Sequence, residues 1–112
     1  MNHIAIIGCG NMGLIYANSF LKYKITSTDH LLLVEKNEER RNVLSELHIG
    51  KVVTIDDAQI PACNIVILAV KPQDFRALAP ELKRAIHKDS VVLSIMAGTE
   101  IAFLASELEH KH

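Results

Sequence analysis

The 112-residue sequence has no tryptophan, two cysteines, three prolines and only 4% aromatic residues. So few aromatic rings leave little from which to build a base-stacking surface. Charge of one sign is missing as well. Twelve Lys and Arg stand against thirteen Asp and Glu, a formal balance of −1, which gives no electrostatic reason to invoke nucleic acid or an anionic membrane as a partner. Cys9 and Cys63 have neither C-x-x-C nor metal-ligand spacing and read as small buried hydrophobes in a reducing compartment. The longest apolar run, Ile65 to Val70, is far too short to cross a bilayer. The first apolar segment opens at Ile4, leaving no room for a signal or transit peptide, so a cytoplasmic location is expected. His3, His30, His48 and His87 are scattered, and only His110 and His112 are near each other, so no metal site is expected. Ser94 lacks a hydrolase elbow, and Asp56 and Asp57 read as turn or cap residues. No protein nucleophile or catalytic carboxylate pair is implied.

What is present is an apolar content of 49%, enough for one domain with its own core. The chain is organised around Ile4-Ala5-Ile6-Ile7-Gly8-Cys9-Gly10-Asn11-Met12-Gly13, a short β-branched strand running into G-x-G-x-x-G with a helical pattern attached. In a dinucleotide site each glycine has a task. Gly8 permits the tight turn, Gly10 lets the backbone approach a pyrophosphate, and Gly13 lets the helix lie close to the sheet. The helix start then turns its amides and positive dipole end toward the phosphates.

Leu14, Ile15, Ala17, Phe20 and Leu21 predict a first helix over 12–23 packed on the sheet. Leu31 to Val34 read as a buried strand ending at Glu35, which stands 22 residues beyond Gly13, close to where the adenosine ribose hydroxyls meet a carboxylate. Lys36, Arg40 and Arg41 follow; they suit either a 2′-phosphate or a solvated helix face. Asn37 is placed to cap a second helix, with Val43, Leu44 and Leu47 as its buried stripe and Gly50 as its stop. Residues 51–55 form a third, edge-like strand, and 56–60 one helical turn before Pro61. Ile65 to Val70 form the central strand. The helical face of Phe75, Leu78, Ala79, Leu82 and Ile86 is interrupted by Pro80, which costs ~3 kcal/mol inside a regular helix, so a break is expected there with a second segment starting at Pro80. Residues 91–95 form the fifth strand, and Ile101, Leu104, Ala105 and Leu108 stripe a final helix.

Strands alternating with helices through right-handed crossovers give an α/β fold with a doubly wound parallel sheet of Rossmann type. Its expected order is 3-2-1-4-5, with the glycine turn, Val70-Lys71-Pro72 and Ala97-Gly98 lining one crevice.

Three stretches closely resemble the amino-terminal half of pyrroline-5-carboxylate reductase: Gly8 to Gly13, Val66-Ile67-Leu68-Ala69-Val70-Lys71-Pro72-Gln73, and Val91 through Thr99. The similarity covers essentially the whole chain. It implies a domain, residues 1–112, that takes NADPH or NADH for hydride transfer to the ring C=N of 1-pyrroline-5-carboxylate, giving proline. By position, Gly8, Gly10, Asn11, Met12 and Gly13 would bind the pyrophosphate, and Glu35, Lys36 and Asn37 would meet the adenosine ribose. Val70, Lys71 and Pro72 would flank the nicotinamide ribose and ring, with Ala97 and Gly98 leaving room for the ring. The cofactor carries the hydride, so neither a metal nor a protein nucleophile is needed.

Glu35-Lys36-Asn37 departs from the neutral residue followed by Arg that members often show, so NADP versus NAD stays open. The family also carries a second, helical domain that forms the dimer and much of the substrate pocket, and the sequence ends before it. The expectation is therefore a cofactor half that is inactive alone, with any homo-oligomer formed through that second domain. The alternatives are a non-catalytic nucleotide-sensing or regulatory paralogue, and another reductase with the same cofactor half, such as a β-hydroxyacid or F420-linked enzyme.

Overall fold

Ile4–Ile7, the strand β1, is buried along its whole length because it has a neighbour on each side and a layer of side chains over each face. The computed structural model describes residues 2–94. Within them the order is β1, α1 (Asn11–Lys22), β2 (Leu31–Val34), α2 (Glu38–Glu46), β3 (Lys51–Val53), β4 (Ile65–Leu68), α3 (Pro72–Ala85) and β5 (Val91–Ser94). All pairings are parallel and the sheet order is β3-β2-β1-β4-β5. This is the doubly wound Rossmann-type arrangement expected from the alternation of strands and helices.

Side-chain alternation divides the core in two. Ala5, Ile7, Leu32, Val34, Val66 and Leu68 face Phe75, Ala79 and Leu82 of α3, and Ile4, Ile6, Leu31, Leu33 and Ile67 face Ala17 of α1 and Leu44 of α2. Period-two strands with both faces covered have to be apolar throughout, which is why β1 and β2 carry no polar residue.

Several expected details differ. β3 and β4 end at Val53 and Leu68, so residues 54–55 and 69–70 leave the sheet and contribute to the cleft beyond it. The turn expected before Pro61 instead contains it, as a 3-10 turn over Ile60–Ala62. Helix α3 runs through Pro80 without a break. Phe75, Ala79 and Leu82 continue one buried face past the proline, while Pro80 and Arg76 lie on the exposed side, where a missing amide donor matters least. On α2 only Leu44 is buried; Val43 and Leu47 are 51% and 45% exposed, as Ile15 is on α1 at 60%. The reversal after α2 is made by His48 in the left-handed region, φ +54°. Gly50 serves a different purpose, since a Cβ there would lie 2.8 Å from the Leu31 carbonyl oxygen. The fifth strand is described to Ser94, and the expected final helix lies outside the described residues.

Candidate functional site

The carboxyl ends of β1 and β4 lie side by side where the strand order reverses, the point at which such sheets open a crevice. A cleft of about 430 Å³ is found there, with Ile7, Val34, Ala69 and Leu78 among its apolar lining and Glu35, Lys36, Lys71 and Asp74 among its charged lining.

The glycine turn forms one wall. Gly8 has φ +81°, and a Cβ on it would come within 2.2 Å of Val70 Cγ1, so both backbone and neighbour demand glycine. Its N–H donates to the Val34 carbonyl at 2.8 Å, and its carbonyl accepts the Gly10 N–H at 2.8 Å. Gly10 caps α1 in an extended conformation, with no side-chain cap and no acidic residue in the first turn. The amides that open α1 are thus left to an external acceptor, and the dipole favours an anion. A Cβ at Gly10 would meet nothing within 4 Å, while Gly10 itself lines the cleft. The turn therefore leaves a cradle that a side chain would fill. Gly13 holds α1 against the sheet, its would-be Cβ 3.2 Å from Ile6 Cγ2. Cys9 is fully buried. Burial, and secondarily Glu35, push its thiol up to about 11 against the opposing pull of Arg40, so it is a neutral thiol at physiological pH and no nucleophile.

The β2–α2 connection, beside the glycine turn, forms a second wall. Glu35 Oε2 accepts the Asn37 N–H at 2.9 Å, which orients the carboxylate at the end of β2. Asn37 Oδ1 accepts the Arg40 N–H at 2.8 Å, the cap expected for α2. Arg41 Nη1 donates to the Glu35 and Lys36 carbonyls at 2.9 and 2.7 Å and is thereby occupied in bracing the connection. Arg40 Nε donates to the Cys9 carbonyl at 3.1 Å. Lys36 Nζ lies 3.9 Å from Asp74 Oδ1, an exposed pair worth little energetically. Asp74 belongs to the first turn of α3, which opens with Lys71 as N-cap and Pro72 as its first residue.

Of the residues singled out in the sequence, Gly8, Gly10, Glu35, Lys36, Val70 and Lys71 line the one cleft. Asn11, Met12 and Gly13 open α1, Asn37 caps α2, and Pro72 opens α3, all beside the cleft rather than lining it. Ala97 and Gly98 lie outside the described residues. Sequence reasoning missed Thr54, Ile55, Asp74, Leu78 and Glu81 as lining. For three of these a signal existed: 74, 78 and 81 recur at helical spacing beside the buried stripe of α3. Among the described residues, no three His, Cys, Asp or Glu side chains are grouped as a metal would require, and no helix is long and apolar enough to cross a membrane.

The profile of the family described as NADP oxidoreductase, coenzyme F420-dependent, matches residues 3–98. The chain belongs to that family. Its relatives include the pyrroline-5-carboxylate reductase of Staphylococcus aureus, 32% identical over 108 residues that cover 95% of this chain and 40% of that protein. The resemblance read from the motifs is thus met in the comparison. Among solved structures, prephenate dehydrogenase of Aquifex aeolicus, in complex with hydroxyphenyl propionate and NAD+, aligns with TM-score 0.79 at 22% identity, covering 96% of this chain and 38% of that one. The Plasmodium falciparum pyrroline carboxylate reductase with NADP bound aligns with TM-score 0.76 at 18% identity, with the same coverages. At those identities the structural likeness concerns the fold. This member of the family spans well under half the length of the curated relatives it matches.

Proposed function

We propose that the chain is the NAD(P)H-binding domain of a pyrroline-5-carboxylate reductase-like oxidoreductase. The observation that carries this reading is the cradle at Gly10: bare backbone beside uncapped α1 amides, opening into an apolar-floored cleft. The motif strings around Gly8 to Gly13 and Val66 to Gln73, together with the Staphylococcus aureus relative, favour pyrroline-5-carboxylate reductases over other dehydrogenases that share the fold.

When bound, a nicotinamide nucleotide would supply the hydride. The chain's own residues would hold and orient it. Gly10 and the amides of Asn11, Met12 and Gly13 would receive the diphosphate. Glu35, held by the Asn37 amide, would accept from the adenosine ribose hydroxyls, with Lys36 at the same edge, and Ile55 and Leu78 would offer apolar surface to the base. Val70, Lys71 and Pro72, followed by Ala97 and Gly98, would flank the nicotinamide end. The imino-acid substrate and its reduction to L-proline are expected to need the helical domain of full-length relatives.

Paired calorimetric titration with NADH and NADPH tests the binding reading, and failure to bind either overturns it. Complementing the chain with a reductase's helical domain and assaying proline formation tests the reaction. Tight nucleotide binding without restored turnover would favour a nucleotide-sensing paralogue.

A further inference from the structure

Arg40 starts from the first turn of α2, where its own N–H is held by the Asn37 side chain, and its guanidinium reaches the carbonyl of Cys9 in the middle of the glycine turn. The amide on the other side of that peptide plane, Gly10 N–H, is bound to the Gly8 carbonyl. The Cys9–Gly10 peptide is therefore fixed at both ends, and the end not fixed by the turn itself depends on Arg40. The second terminal nitrogen of Arg40, Nη2, is buried and has no hydrogen-bond partner among the described residues. With Nε on the Cys9 carbonyl and Nη2 buried, the guanidinium is packed against the glycine turn.

We propose that Arg40 is a positioning residue that sets the glycine turn for the nucleotide's diphosphate, and that it is not a ligand for a 2′-phosphate. This rests on the cleft being a dinucleotide site. A cation held against the turn adds to the positive end of α1, which favours an anion there. Its planar fork supplies a fixed donor to one carbonyl, which a lysine ammonium does not reproduce in the same geometry. Because the diphosphate is common to both nicotinamide nucleotides, a residue acting through the turn changes both affinities alike. A residue that grips the 2′-phosphate changes one.

The test is titration of the unmodified chain and of Arg40→Met with NADH, NADPH and adenosine, with folding followed by circular dichroism. Loss of a hydrogen bond to a charged group corresponds to about tenfold. Arg40→Met is therefore expected to weaken NADH and NADPH by that same factor while adenosine, which has no phosphate, keeps its affinity. A fall for NADPH alone, no change for either nucleotide, or an equal fall for adenosine would each overturn the proposal. If Arg40→Met does not fold, Arg40→Lys carries the same comparison, with an equal loss of about threefold expected. An unmodified chain that binds neither nucleotide overturns the dinucleotide reading together with this one. An unmodified chain that binds both, beside an unaffected variant, overturns only the role of Arg40.

Discussion

In one wall of the cleft the glycine turn owes its shape to backbone hydrogen bonds and to the small size of Gly8, Gly10 and Gly13. In the other, the β2–α2 connection presents the charged side chains of Glu35 and Lys36, with Arg40 and Arg41 behind them tied to carbonyls. On the proposed reading the first wall would complement the diphosphate, a feature that every dinucleotide shares. The second would meet the part in which NADH and NADPH differ, where charge would decide. Tolerance to substitution should differ accordingly: the turn fails sterically and for both nucleotides, whereas the connection can be retuned.

The largest effect is expected at Gly8. Gly8→Ala drives a methyl into Val70 at a positive φ, and overpacking plus a left-handed alanine should cost about 3 kcal/mol of stability, read as a lower urea midpoint. Unchanged unfolding would break the steric account of this wall. At Gly10 the same wall has open space, so Gly10→Val should leave thermal unfolding unchanged and weaken both nucleotides by about a hundredfold or more, near 2.7 kcal/mol. Unaltered affinities in a titration would contradict it. In the second wall, Glu35→Ser should shift the NADPH-to-NADH affinity ratio by about tenfold toward NADPH, the size of one charge-assisted contact. Equal movement of both affinities in calorimetry would show that Glu35 does not discriminate.

The smallest effect concerns pH. Burial raises Cys9 and Cys63 to about 11 from 9.0, so the folded chain holds these protons more tightly than the unfolded one. The stability linked to them is complete below pH 9 and declines as pH rises toward 11. Denaturant midpoints across that range check the direction, and both thiols should resist Ellman's reagent at pH 8 until the chain unfolds.

The glycine-turn wall was legible in the sequence because its information is local. A β-branched run, three glycines and a helical stripe are contiguous, and β1 and α1 follow from them, while β2 is read from its own run Leu31 to Val34 and the strand order from the dinucleotide template. The charged wall was only half legible. Glu35 could be placed by distance along the chain, but Arg40 could equally have been a phosphate ligand or solvated, and its bond to Cys9 joins residues 31 apart. Tertiary packing likewise decided Pro80, whose helix is held by Phe75, Ala79 and Leu82 on the sheet, and Gly50, whose neighbour Leu31 is remote in sequence. The ends of β3 and β4 were overextended because apolar residues such as Ile55 and Val70 continue past the last ladder bond to line the cleft.

Strand β1 pairs with Leu31 on one edge and with Ile65 on the other. As the chain leaves a ribosome, its first strand can acquire one partner early but must wait for the second until some sixty further residues have emerged. Until then one flank of this wholly apolar strand is bare, a state prone to mispairing with other nascent chains. Closing so long a loop is a slow step by its topology, and the cleft, whose walls come from both sides of β1, can exist only after that step is complete.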